Sequence, residues 1–449
     1  MLRRKFEPIL RDFLKKSPDK ILLVNGARQI GKSYIIRHVC EELFPNYVEI
    51  DLRADKESDA LFANVKSTDD FYFQLGLLAG GRLGTREDTM IFLDEIQVYP
   101  HLLTMLKFLN QEKRFRYIAS GSQLGIALGE TPSVPMGSIE RAQMYPLDFE
   151  EFLWAMGTGE EAIEEIGKKL AEGESLDESA HEYIMKQLKY YLLVGGLPEA
   201  VDLFTQSRNL FNVRTVQKDI HDLYGIDASQ YDKERKLKIR RIYDIIPSNM
   251  ENRKKRVIYQ KIEDKKGKHF ADYEDEFDYL INSGISLDVT AISNPKFPLK
   301  ESESKNLVKL YLNDVGILTS ILYGMNANAV INDEKSINLG TVYESFVAQE
   351  LKAHGFKLFY YDNKKKGEVE FLIDDHNKLS VVPIEVKSGK DYKIHSALDG
   401  FISTPDYHIS SAIVLSNKRS IELKDGILYM PIYYSMFICE TKSRDLILE

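Results

Sequence analysis

The segment GARQIGKS has the residue types and the spacing that bind phosphate groups. The pattern G-x-x-x-x-G-K-[ST] runs from Gly26 to Ser33, directly after the apolar run KILLVN. Glycines let the backbone curl around a phosphate, and N–H groups at the start of the next helix point at its oxygens. Lys32 would reach the β- and γ-phosphates, and the Ser33 hydroxyl would bind Mg²⁺. The predicted cofactors are ATP and Mg²⁺, and the predicted binding residues are Gly26, Ala27, Arg28, Gln29, Ile30, Gly31, Lys32, Ser33 and Tyr34.

A second motif, MIFLDEIQ, places two carboxylates at the end of an apolar strand. Asp94 is expected to hold Mg²⁺ directly or through water, and Glu95 to orient or deprotonate the attacking water. A solvated acidic turn is the structural alternative. The glycine-rich loop lies before this motif in the order that a nucleotide site requires, so we favour the catalytic interpretation. Glu95 favours hydrolysis of ATP over passive binding.

The run RYIASGSQ ends a further apolar strand and places Ser120 and Ser122 where a sensor residue would contact the γ-phosphate or the lytic water. A polar strand end followed by a glycine turn explains these serines equally well. Arg141 is the best candidate for a sensor arginine or arginine finger, and Arg28 is the second. Either arginine is also compatible with an ordinary surface position.

The C-terminal third holds another set of candidate catalytic residues, in GEVEFLI and VVPIEVKSG. Glu385 and Lys387 are two positions apart and therefore share one face of a strand. Two carboxylates beside a lysine can hold Mg²⁺ on a scissile phosphate. We predict Glu370, Glu385 and Lys387 as catalytic, and Glu344, Glu370 and Glu385 as metal ligands. The alternative is that these strands simply alternate apolar and charged residues, as half-exposed strands do.

The elements that would position these residues follow from the apolar runs. Runs separated by helix-length segments predict a parallel sheet with helices on both faces. The sequence predicts an ATPase core over 1–146, a helical region over 147–230, a basic winged-helix-like region over 231–300, and an α/β domain over 301–449. Predicted strands in the first and last of these cover 20–25, 47–52, 89–94, 115–120, 357–361, 368–373, 380–387, 408–415 and 426–431.

The succession GARQIGKS, FLDEIQ, SGSQ, YPLDFEEF and VGGLPEAV resembles the bacterial and archaeal AAA-type ATPases that carry a C-terminal domain of unknown function. The resemblance covers nearly the whole chain. It implies that the C-terminal domain is similar to restriction-endonuclease-like nucleases of the PD-(D/E)xK type. This sequence departs from that pattern by having Glu370 in place of the usual Asp. It also has Gly137–Ser138 where relatives often have Gly-Arg or Gly-Lys, which leaves Arg141 as the substitute sensor.

Charge is unevenly distributed along the 449 residues, whose formal net charge is −9. Residues 148–182 contain twelve acidic residues and two lysines, whereas residues 232–268 contain fourteen Lys/Arg and six Asp/Glu. The acidic total argues against general binding of polyanions, but the basic stretch over 233–268 could neutralise several phosphates. A solvated helical face is the alternative for such a charge run.

Other features exclude several classes of protein. Two cysteines almost 400 positions apart cannot form a disulfide framework. The start MLRRKFEPILRDFLKK mixes apolar and charged residues, so no signal peptide is expected, and no apolar run is long enough to span a bilayer. We expect a cytoplasmic protein without a membrane partner, with the oligomeric state left open.

The predicted fold class is α/β: a P-loop parallel-sheet AAA ATPase domain, a helical and winged-helix-like middle, and a C-terminal restriction-endonuclease-like domain. The predicted function is ATP hydrolysis that couples nucleotide state to a nuclease-like domain acting on or binding nucleic acid. The alternative is a nucleotide-switched regulatory protein whose nuclease-like domain is inactive and binds a protein or DNA.

Overall fold

Two separate sheets organise the chain, and each belongs to its own unit of the fold. The computed structural model describes residues 2–16, 19–125, 137–230, 236–252, 255–363, 367–389, 392–393, 395–409 and 411–440. Unit 1 comprises Met1–Tyr145 and Asp278–Ile285, and unit 2 comprises Pro146–Phe277 and Ser286–Glu449. Within the described residues, no helix combines the length and the apolar character needed to cross a membrane.

Unit 1 is built on a parallel five-stranded sheet in the order β2-β3-β4-β1-β5. Its strands are β1 (Ile21–Asn25), β2 (Asn46–Asp51), β3 (Thr89–Asp94), β4 (Arg116–Gly121) and β5 (Ile139–Gln143). Its helices are α1 (Phe6–Lys16), α2 (Lys32–Leu43), α3 (Leu52–Glu57), α4 (Thr68–Ala79) and α5 (Pro100–Glu112).

The parallel sheet confirms the predicted architecture of the first domain. Every residue of β3 is buried, as expected of a central strand that is covered on both faces. The predicted strand over 89–94 has the observed bounds, and the other three predicted strands differ from the observed ones by a residue at one or both ends. The sequence analysis missed β5 because its residues, IERAQ, are mostly polar and lie at the sheet edge.

A distant segment, Asp278–Ile285, also belongs to unit 1 and lies beside the start of the glycine-rich loop. The amide of Asn25 donates to the carbonyl oxygen of Asn282 at 3.4 Å. Gly284 has a φ of 75°, and a Cβ at that position would lie 3.1 Å from the backbone nitrogen of Ala27. The sequence analysis had assigned this segment to the middle of the chain, because periodicity carries no information about long-range packing.

Unit 2 is built on a mixed eight-stranded sheet in the order β12-β13-β11-β10-β9-β8-β6-β7. Its strands are β6 (Ser286–Ile292), β7 (Glu303–Leu312), β8 (Phe359–Asn363), β9 (Gly367–Asp375), β10 (Ser380–Lys387), β11 (Ala412–Ser416), β12 (Glu422–Lys424) and β13 (Ile427–Pro431). Its first helices are α6 (Phe149–Ala155), α7 (Glu160–Glu172), α8 (Glu178–Val194), α9 (Pro198–Ser207), α10 (Leu210–Gln230), α11 (Lys236–Met250) and α12 (Gln260–Glu263). The later helices are α13 (Glu274–Asn282), which continues into unit 1, and α14 (Val315–Tyr323), α15 (Ala327–Ile331), α16 (Leu339–Ala353) and α17 (Ser396–Ile402).

Strand β6 does not belong to a separate winged-helix unit, which the sequence analysis had expected over 231–300. It pairs with β7 in antiparallel orientation and with β8 in parallel orientation. The sheet of unit 2 therefore begins at Ser286, before the predicted boundary at 301. A helix, a turn and a strand look alike in sequence whether the strand forms a wing or joins a larger sheet.

Two of the motifs that carry the family resemblance stabilise unit 2. In YPLDFEEF, Asp148 caps α6 by accepting from the Glu151 N–H at 2.9 Å, and the Phe149 N–H donates to Glu350 of α16 at 2.8 Å. In VGGLPEAV, the Gly196 N–H donates to the buried carboxylate of Asp314 at 2.6 Å. Burial raises the pKa of Asp314 to about 6. These contacts connect distant parts of the chain.

Substitution of Gly196 tests this structural role. A Cβ at Gly196 would lie 2.0 Å from the carbonyl oxygen of Leu147. We expect Gly196→Ala to lower the free energy of unfolding by about 2 kcal/mol or more, because the backbone around the Asp314 contact must shift. Chemical denaturation measures the change. Gly400→Ala, in α17 with open space around the site, is the control and should be neutral or stabilising. Equal stability of Gly196→Ala and wild type would contradict this role.

His354, just after α16, makes the free energy of unfolding decrease at alkaline pH. Burial alone would lower its pKa, but the Asp148 carboxylate, which lies 3.5 Å from Nε2, and further contacts raise it to about 10. A group whose pKa is raised on folding contributes fully below its unfolded pKa, near 6.5, and loses this contribution as pH rises through about 10.

We therefore expect the free energy of unfolding of the wild type to fall by about 2 kcal/mol between pH 7 and pH 10. The variant His354→Gln should not show this fall. Urea denaturation at a series of pH values measures the slope. The matched control is the exposed His376. His376→Gln should show the same slope of unfolding free energy against pH as wild type. The same pH dependence in wild type and His354→Gln would refute the assignment.

Candidate functional site

The glycine-rich loop connects β1 to α2 and takes a conformation that few residues other than glycine allow. Gly26 has a φ of 154° and Gly31 a φ of 90°. A Cβ on Gly26 would lie only 2.4 Å from the carbonyl oxygen of Met144, so a side chain does not fit there. Lys32 begins α2, and its Nζ donates to the carbonyl oxygens of Gly26 at 2.9 Å and Ala27 at 2.8 Å. The loop thus wraps around the lysine ammonium group.

The carboxylate of Asp94, at the end of β3, connects the loop to the neighbouring strand. It accepts hydrogen bonds from the hydroxyl of Ser33 at 2.5 Å and from the hydroxyl of Ser120 on β4. Burial raises the pKa of Asp94, and these two hydroxyls oppose that effect. Burial also lowers the pKa of Lys32, while Glu95 and Asp94 act in the opposite direction. Adjacent hydroxyl and carboxylate oxygens are the donors that Mg²⁺ prefers, so these residues fit a Mg²⁺–nucleotide complex.

Glu95 follows Asp94 in the chain and has a left-handed backbone conformation, with a φ of 55°. The amide of Gln97 donates to Glu95 Oε2 at 2.7 Å, the Ser122 hydroxyl lies 3.4 Å from it, and the Arg28 guanidinium lies 3.8 Å from it. A Cβ on Gly121 would lie 2.0 Å from Gln97 Oε1, so this glycine leaves space for the amide. The carboxylate of Glu95 is therefore held in place beside the loop.

The structure brings most of the residues predicted for the nucleotide site together. Ser120 contacts Asp94, and Ser122 lies beside Glu95. Arg141 instead lies on the edge strand β5, paired with Leu23, and is exposed. Ile30 is fully buried, whereas 55% of Tyr34 is exposed. Gln97 was not among the predicted site residues, although it stands two positions after Glu95 in the motif FLDEIQ.

The residues predicted for the second site also meet, within unit 2. The antiparallel register pairs Ile384 of β10 with Phe371 of β9, which makes Glu385 and Glu370 neighbours. Lys387 donates to Glu385 at 2.6 Å, as their shared strand face predicts. The carboxylate of Glu370 accepts the Val386 N–H at 2.6 Å.

Two further lysines, which the sequence analysis had not placed at this site, enter the cluster. The carboxylate of Glu344, on α16, contacts the ammonium group of Lys255 and accepts from the hydroxyl of Tyr311 at 2.5 Å. Lys309 of β7 lies 2.5 Å from Glu368 and 3.8 Å from Glu344. We call Lys255, Lys309, Tyr311, Glu344, Glu368, Glu370, Glu385 and Lys387 the carboxylate–lysine cluster. No local pattern predicts that Lys255 and Lys309, far from the other members in sequence, would meet there.

The lysines set the charge state of the cluster. Burial and the nearby Glu385 and Glu344 raise the pKa of Glu370 well above its usual range. Burial raises the pKa of Glu385, which Lys387 opposes. Burial would also raise the pKa of Glu344, but Lys255 and Lys309 outweigh it and lower that pKa.

The described residues contain no group of three or more His, Cys, Asp or Glu side chains arranged to hold a metal ion. In the carboxylate–lysine cluster, Lys255 and Tyr311 take up the oxygens of Glu344, and Lys387 binds Glu385. With these groups in place, the residues of this site do not fit the Mg²⁺ ion that the family resemblance implies.

Comparison with protein families divides the chain into three parts. Residues 18–153 match the AAA domain, residues 185–328 match a domain of unknown function (DUF8612), and residues 339–434 match another (DUF4143). The first match and the parallel sheet confirm that the chain carries an AAA-type P-loop ATPase domain. The domains of unknown function do not test the predicted resemblance to nucleases.

Several solved structures are similar to the chain at low identity. A Walker-type ATPase of Pyrococcus abyssi is 14% identical, over 72% of this chain and 96% of its own, with a TM-score of 0.43. The Orc1 protein of Aeropyrum pernix in complex with DNA is 14% identical, over 74% and 91%, with a TM-score of 0.31. The RuvB branch migration motor of Thermotoga maritima is 17% identical, over 64% and 89%, with a TM-score of 0.29. Curated proteins gave no significant match.

Proposed function

We propose that the chain is a Mg²⁺-dependent ATPase that couples its nucleotide state to the C-terminal domain. The contact of Ser33 with Asp94 carries the first part of this proposal, because it joins the glycine-rich loop to the acidic strand end. Lys32 lies inside the same loop, and Glu95 follows Asp94 directly. These four side chains provide what phosphoryl transfer to water requires.

Each residue then has a distinct role. Lys32 exchanges its contacts with two loop carbonyls for contacts with the β- and γ-phosphates. Ser33 and Asp94 hold Mg²⁺, which neutralises charge on the phosphates when bound. Glu95 accepts a proton from the attacking water, and Gln97 positions its carboxylate. Ser120 orients Asp94, while Ser122 and Arg28 lie where they can respond to the γ-phosphate.

Two substitutions separate nucleotide binding from hydrolysis. We expect Lys32→Ala to weaken ATP binding at least tenfold and to abolish turnover, because the loop loses its cation. We expect Glu95→Gln to retain ATP binding while turnover falls about a hundredfold or more, since the amide cannot accept the proton. Fluorescent-nucleotide titration and phosphate release measure the two effects.

Exposed residues of the same unit provide the controls for this experiment. Lys107→Ala and Glu87→Gln remove the same charges at solvent-facing positions and should behave as wild type. Unchanged turnover in both Lys32→Ala and Glu95→Gln would show that the ATPase assignment is wrong.

The proposed coupling is supported by the path of the chain. The backbone passes from one unit to the other after Tyr145, after Phe277 and after Ile285. The short segment Asp278–Ile285 lies against the glycine-rich loop within unit 1, through Asn282 and Gly284. A change in the loop on hydrolysis would act on this segment, which is covalently attached to unit 2 at both ends.

We propose nucleic acid as the ligand of unit 2, bound by the basic stretch over 233–268 and by a C-terminal domain with a nuclease-like fold. Exposed lysines of this stretch include Lys261, Lys265 and Lys266. The second candidate is a nucleotide-switched regulatory protein, in which an inactive C-terminal domain binds a protein. The ammonium group of Lys255 on Glu344 favours this candidate over active cleavage.

Nucleic-acid binding distinguishes the two candidates. We expect single-stranded DNA, duplex DNA or RNA to stimulate ATP turnover, with an affinity that falls as salt rises. For duplex DNA, the triple variant Lys261→Ala, Lys265→Ala, Lys266→Ala should reduce the slope of log affinity against log salt by about 2 to 3, at roughly 0.9 for each lost phosphate contact. Lys168→Ala with Lys169→Ala, on the acidic helix α7, is the control pair. Absence of binding to all three nucleic acids would favour a protein partner.

A further inference from the structure

We propose that Lys255 is an internal cation that takes the place of a divalent metal ion among Glu344, Glu370 and Glu385. On this proposal the carboxylate–lysine cluster binds no metal in the native chain, and removal of one lysine creates a metal site. The inference rests on the proposed function only where it treats the C-terminal domain as nuclease-like.

The position of Lys255 is the first observation. Its ammonium group contacts Glu344 Oε2, and only 2% of the Glu344 side chain is exposed. The positive charge of Lys255 also acts on the buried carboxyl group of Glu370. The ammonium group of Lys255 therefore occupies an oxygen of the carboxylate on α16 that the sequence predicts as a metal ligand.

Glu385 supplies the second, independent observation. One of its oxygens, Oε1, accepts from Lys387 at 2.6 Å. The other oxygen, Oε2, is buried and has no hydrogen-bond partner among the residues that the structure describes, and only 4% of the residue is exposed. An unpartnered buried carboxylate oxygen is unfavourable, and a cation beside it would remove that penalty. Once Lys255 is removed, this oxygen can serve as a ligand to a divalent cation.

Lys309 is held in the cluster more firmly than Lys255. Lys309 is fully buried between Glu344 and Glu368, with its ammonium group 4.6 Å from the centre of the Tyr360 ring. Lys255 is partly exposed, at 17% of its side chain. Four carboxyl groups face three lysines in the cluster, and loss of Lys255 leaves four against two. A divalent cation then has both the charge and the oxygen ligands to bind.

Titration of nucleotide-free full-length protein with Mn²⁺ tests the proposal, by calorimetry and by electron paramagnetic resonance. Wild type should show no Mn²⁺ binding that depends on Glu385. Lys255→Met should bind one more Mn²⁺ per chain than wild type, with an affinity at least tenfold higher than any Mn²⁺ binding by wild type. Adding Glu385→Gln to Lys255→Met should abolish this extra binding. Lys255→Arg, which keeps the charge, and Lys261→Met, at an exposed site of the same stretch, should both match wild type.

Two results would overturn the proposal. One is Mn²⁺ binding by wild type that Glu385→Gln removes. The other is a folded Lys255→Met protein, with wild-type circular dichroism and thermal unfolding, that gains no Mn²⁺ binding. Lys255→Gln is a second neutral variant for the case that the methionine variant does not fold. ATP turnover by the same proteins is measured separately, because Lys255 lies outside unit 1. Absence of turnover in wild type would contradict the proposed ATPase activity but not the proposed role of Lys255.

Discussion

The carboxylate of Asp94 is the point on which the nucleotide site depends. It accepts from Ser33 on the helix after the glycine-rich loop and from Ser120 on the next strand, while its neighbour Glu95 is held by Gln97. Parallel pairing of β1, β3 and β4 brings these side chains to the same edge of the sheet. A charge buried at this edge is stable only with such partners, and the pairing of the strands supplies them.

Unit 2 follows the same principle with different partners. Its buried carboxylates contact backbone N–H groups at Asp314 and Glu350 and lysines at Glu344 and Glu385. The first two contacts hold distant segments together and give YPLDFEEF and VGGLPEAV a structural role. The contact at Glu344 places the ammonium group of Lys255 where the resemblance implies a metal ion.

Local sequence could predict most of the first sheet and the grouping of Lys32, Ser33, Asp94 and Glu95, because two motifs place these residues at or just beyond the ends of strongly apolar strands. It could also predict that Glu385 and Lys387 share a face. It could not predict β5, which is polar, or the sheet membership of β6, which depends on a partner strand. Lys255 and Lys309 escaped prediction because a charged residue in sequence looks alike whether it faces solvent or a buried carboxylate.

Metal-dependent ATP hydrolysis is the central claim, and phosphate release by the purified chain tests it most directly. The proposal assigns Mg²⁺ to Ser33 and Asp94, which are hydrogen-bonded to each other, and the activation of water to Glu95, whose N–H donates to Asp94 at 3.0 Å. Release should therefore occur with ATP and Mg²⁺ and stop when EDTA removes the metal, returning when Mg²⁺ is restored. Equal release with and without EDTA, or none with excess Mg²⁺, would contradict the account.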